Sequence, residues 1–412
     1  MKLPAALALV AFLPCIAAAE QLLITENNRL LRLDLENLAA GPSVLVENAS
    51  RGGEAGRDMN GMICALPDGS GQFLAGEDTG QPDTRPGWGV FSAEGRQVAK
   101  LAGTYQVAQA EPHGCAFDPQ GRLFTSSVGN QGFGSGKGQL FLWFPPYAGH
   151  PGPPGAYPAT GAASDGFCKL ATDISAAGGL AIDEAGRVYL ASAGRGVIER
   201  FSPPFPTGTD AAGGCGGQGP AGSPFATQLQ RETFADGWYT FSGLAFAPNG
   251  HLFASSVFTG EIVEYDADGT LLRKILDPDD WLPPFETGTP MGLALGSDGT
   301  LYYADLDLTW DFPSIGPGPD GKVWRLRFDE DGTPLPPEIL LRGLAFPDGV
   351  AAITTTRRRV PLLPHFRAFP GAFDEQPVRA PFQGLRPHRG GGSLVSALGR
   401  CRHLPSRGSR YP

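Results

Sequence analysis

One short phrase recurs six times along the chain and limits its fold more than any other feature. It consists of a glycine, an apolar strand, a turn rich in Asp, Asn and Gly, and a second apolar strand. The copies start at Asn60-Gly61, His113-Gly114, Gly178-Gly179, Ser242-Gly243, Met291-Gly292 and Asp348-Gly349. Successive glycines lie 53, 65, 64, 49 and 57 residues apart. A four-stranded blade needs roughly 40–50 residues, and the Pro/Gly-rich stretches 145–163 and 203–224 account for two of the longer spacings. Alternating strands joined by turns such as Asp266-Ala-Asp268-Gly269 and Asp329-Glu-Asp331-Gly332 read as antiparallel hairpins. Repeated radially, such units make an all-β, six-bladed β-propeller. The sixth copy holds only its innermost strand, whereas 22–25, 29–34 and 43–47 supply three strands with no first strand of their own. The ring is therefore expected to close through one blade shared by the N- and C-terminal strands, which leaves no open sheet edge there.

Composition supports that architecture. Gly (59) and Pro (39) are abundant among 412 residues, which disfavours long helices, while 41% hydrophobic residues suffice for a core. Residues 1–19 read as a secretory signal peptide: Lys2, the apolar stretch Leu3–Ile16 and a small-residue cleavage site at Ala17-Ala18-Ala19. The expected location is periplasmic or secreted. The propeller is assigned to 20–355 and a basic, disordered tail to 356–412. Residues 20–356 hold 20 Lys and Arg against 40 Asp and Glu, whereas 357–412 hold 11 Arg and 2 acids. A body this acidic is a poor partner for nucleic acid, and no apolar run of spanning length follows the leader. The expected partner is a small-molecule substrate, and the expected state is a monomer.

The mature cysteines are 64, 115, 168, 215 and 401. Cys168 and Cys215 lie in or beside the two insertions of neighbouring blades, and a bridge between them is expected in an oxidising compartment. Cys64 and Cys115 sit on neighbouring inner strands and read equally well as buried thiols.

Strand direction places the chemistry. Residues just before each repeated Gly, and just after each second strand, converge on one face around the central channel. The first set is Asn60, His113, Gly178, Ser242, Met291 and Asp348. The second includes Glu26, Glu77, Asp78, Asn130, Ser192, Ser256 and Asp305. Polar groups outnumber apolar ones in these sets, so a polar funnel is expected. Glu26, Asn60, Asp305 and Asp348 offer the oxygens that a hard divalent cation such as calcium requires. His113 is the candidate proton carrier, with Asp305 catalytic alongside it. Glu77, Asp78, Asn130 and Ser242 are the candidate substrate contacts.

The phrases Pro112-His113-Gly114-Cys-Ala-Phe-Asp-Pro-Gln-Gly-Arg122 and Pro290-Met-Gly-Leu-Ala-Leu-Gly-Ser-Asp-Gly-Thr-Leu-Tyr-Tyr-Ala-Asp305 resemble NHL-type propellers, and more narrowly the senescence-marker-protein/gluconolactonase-like family. The resemblance covers 20–355. It implies a channel-bound divalent cation and hydrolysis of a small lactone or ester, with Asn60 and Asp305 matching two ligand positions. It departs from the family in placing those two residues in different blades and in lacking the early Glu-Gly-Pro stretch, for which Glu26 is a positional substitute. The reading is an exported metal-dependent hydrolase; the alternative is a non-catalytic propeller that binds a ligand or protein partner.

Overall fold

Six blades, each with four antiparallel strands, stand around a common axis in a computed structural model that describes residues 18–27, 29–47, 58–68, 70–78, 87–101, 112–128, 138–145, 147, 166–219, 223–237, 239–279, 283–311 and 314–356. Residues 1–17, within the segment read as a leader, most of the insertion 145–163, Asn130, Cys401 and residues 357–412 lie outside the described residues. Blade 1 runs from the channel outwards as Asp58–Ala65, Phe73–Asp78, Gly87–Phe91 and Gln97–Leu101. Blade 2 is Pro112–Phe117, Leu123–Ser127, Gly138–Trp143 and Phe167–Ile174. Blade 3 is Ala177–Ile182, Val188–Ser192, Val197–Ser202 and Gln230–Asp236. Blade 4 is Phe241–Phe246, Leu252–Ser256, Glu261–Tyr265 and Leu271–Leu276. Blade 5 is Pro290–Leu295, Leu301–Asp305, Gly321–Leu326 and Glu338–Leu344. Among the described residues no helix is long and apolar enough to cross a membrane.

Blade 6 is built from both regions of the chain, as its strand inventory required. Val350–Thr356 is its inner strand, and Ala18–Glu26, Arg29–Asp34 and Ser43–Glu47 are the other three. Ile24 lies opposite Val350, Leu23 opposite Ala351 and Leu22 opposite Ala352. Ala18 and Ala19 also pair, with Thr356 and Thr355, so the strand begins two residues inside the segment read as a leader.

The repeated glycine has a direct physical cause. Each inner strand lies against the next around the channel, the last against the first. A Cβ on Gly114 would come within 2.6 Å of the Gly178 carbonyl oxygen; on Gly179, within 2.6 Å of the Ser242 carbonyl; on Gly292, within 2.6 Å of the Asp348 carbonyl. Only glycine lets the backbones approach this closely. Three blades add a hydroxyl beside the same seam. Ser126 accepts from the Gly114 N–H and donates to the Gly178 carbonyl, and Ser255 accepts from Gly243 and donates to Met291. In blade 6, Thr25 donates its hydroxyl to Asp348 Oδ1 at 2.7 Å and also reaches the Gly61 carbonyl.

Between blades, apolar side chains from facing sheets form separate cores. One joins blades 2 and 3 through Phe124, Leu142, Leu180, Leu190 and Phe201. Another joins blades 3 and 4 through Tyr189, Phe234, Leu244 and Tyr265. Cys168–Cys215 forms the expected bridge with 5.9 Å between Cα atoms, and tethers the blade-3 insertion to the outer strand of blade 2. Cys64 and Cys115 are also bridged, at 6.1 Å, which fastens blade 1 to blade 2 at the inner strands.

Candidate functional site

Five of the six residues that precede a repeated glycine line one cavity at the channel mouth: His113, Gly178, Ser242, Met291 and Asp348. Asn60, the sixth, is in the inner strand of blade 1, but its side chain is outside the described ones. The cavity measures about 210 Å³. The rest of its wall is apolar, with Val128, Ala193, Phe241, Val257 and Phe346. Among the described residues, the polar funnel expected from the sequence is an apolar cavity with three polar side chains, His113, Ser242 and Asp348. The apolar residues Val128, Ala193, Val257 and Phe346 come from segments just outside the strands, where the repeat gives no guide to position.

His113 is 5% exposed, and among the described residues no polar side chain hydrogen-bonds its ring. Burial alone lowers its pKa from 6.5 to about 4, because removing a cation from water is costly. At neutral pH it is a neutral imidazole, with one ring nitrogen able to donate and the other able to accept. Asp348 is 2% exposed and spends its oxygens on the ring closure: Oδ1 accepts from Thr25 and Oδ2 from the Gly61 N–H at 2.7 Å. Ser242 is buried in the same cavity, in the inner strand of blade 4.

Of the second expected set, the four described side chains, Asp305, Glu26, Ser192 and Ser256, bond within their own blades. Asp305 is fully buried, and Oδ1 accepts from the Thr289 N–H, the Thr289 hydroxyl and the Asp307 N–H. Its Oδ2 accepts from the Trp324 indole at 2.9 Å. Glu26 accepts from the Ala345 N–H through Oε1 and pairs Oε2 with Arg29 at 2.6 Å. Ser192 donates to the Ser175 carbonyl, and Ser256 accepts from the Thr240 N–H. In these four blades, the residue ending the second strand clamps the segment that enters the same blade's inner strand. The pleat explains the difference: Thr25 and Glu26 are consecutive and so project to opposite sides of the sheet.

The calcium site expected from Glu26, Asn60, Asp305 and Asp348 does not assemble from the described side chains. No three His, Cys, Asp or Glu groups among the described residues converge so as to hold a metal. The physical reason is that Glu26 and Asp305 are used by backbone donors within blades 6 and 5, and Asp348 by the seam between blades 6 and 1. The side chains of Glu77 and Asp78, like Asn130, lie outside the described ones.

No family model and no curated protein matches the chain. A solved protein of unknown function from Bacteroides caccae is similar at 12% identity and a TM-score of 0.50, covering 82% of this chain and 99% of that one. The likeness is one of fold. Regucalcin, a calcium-binding protein of Agrobacterium tumefaciens, is similar at 17% identity and a TM-score of 0.44, covering 70% of this chain and 77% of that one. A gluconolactonase of Xanthomonas campestris is similar at 16% identity and a TM-score of 0.41, over 67% of this chain and 75% of that one.

Proposed function

We propose that the protein is a propeller that binds a small, mainly apolar molecule in the mouth of its channel. The observation that carries this reading is the makeup of the cavity: an apolar wall with a buried neutral imidazole and a serine at His113 and Ser242. A concave apolar site with a few polar groups is the usual form of a small-molecule site. His113 would give one donor and one acceptor, and Ser242 a hydroxyl, to an ester, lactone or hydroxyl group. Two disulfides support a location in an oxidising compartment outside the cytosol.

Hydrolysis of a small lactone or ester at the same cavity is the second reading, favoured by the unprotonated imidazole. In that reading His113 would take a proton from water as it attacks the ring carbonyl. The described side chains place no carboxylate on the imidazole to orient it, and they support no metal-bound form of the reaction. Incubation with γ-nonalactone, with and without a chelator, tests both readings. A rise in thermal midpoint without turnover supports binding, and chelator-insensitive turnover supports the second reading. Turnover that requires added calcium would overturn both.

A further inference from the structure

Blade 3 stands between the two neutral polar groups of the channel-mouth cavity, His113 of blade 2 and Ser242 of blade 4. Strand register shows which residues of blades 2 to 5 are equivalent. Ala177 lies opposite Ser192, as Pro112 does Ser127, Phe241 does Ser256 and Pro290 does Asp305. The residue that leaves the second strand is therefore Val128, Ala193, Val257 and Leu306 in turn. Backbone hydrogen bonds agree with this match. The Ala193 N–H donates to the Ala176 carbonyl at 3.1 Å, that of Val257 to Thr240 at 3.3 Å and that of Leu306 to Thr289 at 3.4 Å.

At each of these positions blade 3 carries the smallest residue. Ala193 stands where the other blades have Val128, Val257 and Leu306. Ala176 stands where blades 4 and 5 have Thr240 and Thr289. Ala177 matches Pro112, Phe241 and Pro290, and Gly178 matches His113, Ser242 and Met291. Ala176, Ala177, Gly178 and Ala193 all line the cavity, so its blade-3 wall carries nothing larger than a methyl group. The cavity is thus deepened into a recess over blade 3, with an imidazole on one flank and a hydroxyl on the other.

The floor of this recess is fixed by hydrogen bonds. Besides the Ala193 bond to Ala176, the Ser192 hydroxyl donates to the Ser175 carbonyl at 3.0 Å and the Gly194 N–H to the same carbonyl at 3.1 Å. Ala176 is buried and holds φ at 49°, in the left-handed region that a residue with a Cβ seldom adopts. Such a conformation persists only where the surroundings impose it, and it gathers at binding sites. A rigid, shallow floor of methyl groups suits a compact ring, which fills it without freezing the torsions of a chain.

We propose that the recess over blade 3 is the subsite for a compact, ring-shaped head of the ligand, and that Ala193 sets the size of head admitted. An oxygen on that head would accept from His113 or Ser242, and an apolar chain attached to it would run towards Met291 and Phe346 on the other side of the cavity. The proposal rests on the reading that the channel mouth binds a small, mainly apolar molecule, and it names the part of the mouth that discriminates between such molecules.

The test compares γ-nonalactone with 2-nonanone, which share a carbonyl and the same number of carbons but carry the carbonyl in a ring and in a slim chain. Both would be titrated into the full chain by calorimetry, and both should bind the wild-type protein. Ala193→Leu, which puts the blade-5 side chain into the recess, should weaken the lactone about tenfold or more and the ketone less than about threefold. Ala193→Val, with the residue of blades 2 and 4, should give the same split to a smaller degree. Equal weakening of both probes would overturn the proposal, because damage to the fold acts on both alike. Lactone binding left unchanged by Ala193→Leu would overturn it too, as would a wild-type protein that binds the ketone alone. Failure of both probes to bind the wild-type protein would instead overturn the channel-mouth reading itself.

Discussion

Lowering the pH from 7.5 to 4 should destabilise the propeller through His113. The folded-state pKa is lowered to about 4 from 6.5. As pH falls, the unfolded chain therefore binds this proton first, and the imidazole contributes a loss of stability between about 6.5 and 4, with no change above that window. At 1.36 kcal/mol per unit, a shift of this size is worth about 3 kcal/mol, a substantial share of the 5–15 kcal/mol typical of a folded domain. Carboxylates titrate in the lower part of the window, so the informative quantity is a difference. Urea unfolding of the wild-type protein and of His113→Gln would be followed at half-unit pH steps. The wild-type protein should lose about 3 kcal/mol more than the variant over the window, with the extra slope steepest between pH 6 and 5, where few carboxylates titrate. Parallel curves for the two proteins would show that His113 is not held neutral by burial, and would remove the basis for its role as a neutral donor and acceptor.

Asp305→Ala should lower the unfolding free energy by about 3 kcal/mol or more, since it strands buried donors from Thr289, Asp307 and Trp324; urea melts with and without calcium should show the same loss. Asp348→Ala removes the acceptor for Thr25 and for the Gly61 N–H, and should cost about 2 kcal/mol by the same assay, with the destabilisation spread over blades 6 and 1 in hydrogen exchange. Replacing Cys64 and Cys115 by serine opens a 51-residue separation, for which the chain-entropy model gives a loss of about 4 kcal/mol; a midpoint unchanged from wild type would show that the bridge adds nothing to the seam.

The blade count was legible because the repeated glycine answers to a single steric demand, the neighbouring blade's carbonyl. The shared blade was legible because strands at 22–47 had no first strand to pair with. The positions before each glycine were legible for the same reason: the close approach that requires Gly114 puts His113 at the channel rim. For Glu26 and Asp305 the sequence leaves the direction open, because a strand-end acid can face either side of the pleat and only its partners, here backbone donors, decide. A signal was present in Thr240 and Thr289, which stand just ahead of the inner strands of blades 4 and 5 and offer a donor to the strand end. The packing of Tyr147 on Phe117 and of Phe205 on Phe124 is hidden in the sequence by the Pro/Gly-rich stretches in which both rings lie, each directly after a Pro-Pro pair.

Blade 6 gives the chain a particular problem of order in time. Its second strand is among the earliest residues made, yet Ile24 must wait for Val350, 326 residues later, before its inner neighbour exists. Until then the sheet at 18–47 has a bare edge facing the place where the axis will form, and an unpaired strand edge invites pairing with other chains. The closing contact also carries the largest loop-entropy cost in the molecule, although that cost grows only logarithmically with length. A circular permutant that joined Glu20 to Thr354 through a short linker and opened the chain in the turn at Asp266–Gly269 would make that closure local. It should form blade 6 early in refolding, and the one long-range closure then passes to blade 4, between Glu261–Tyr265 and Leu271–Leu276.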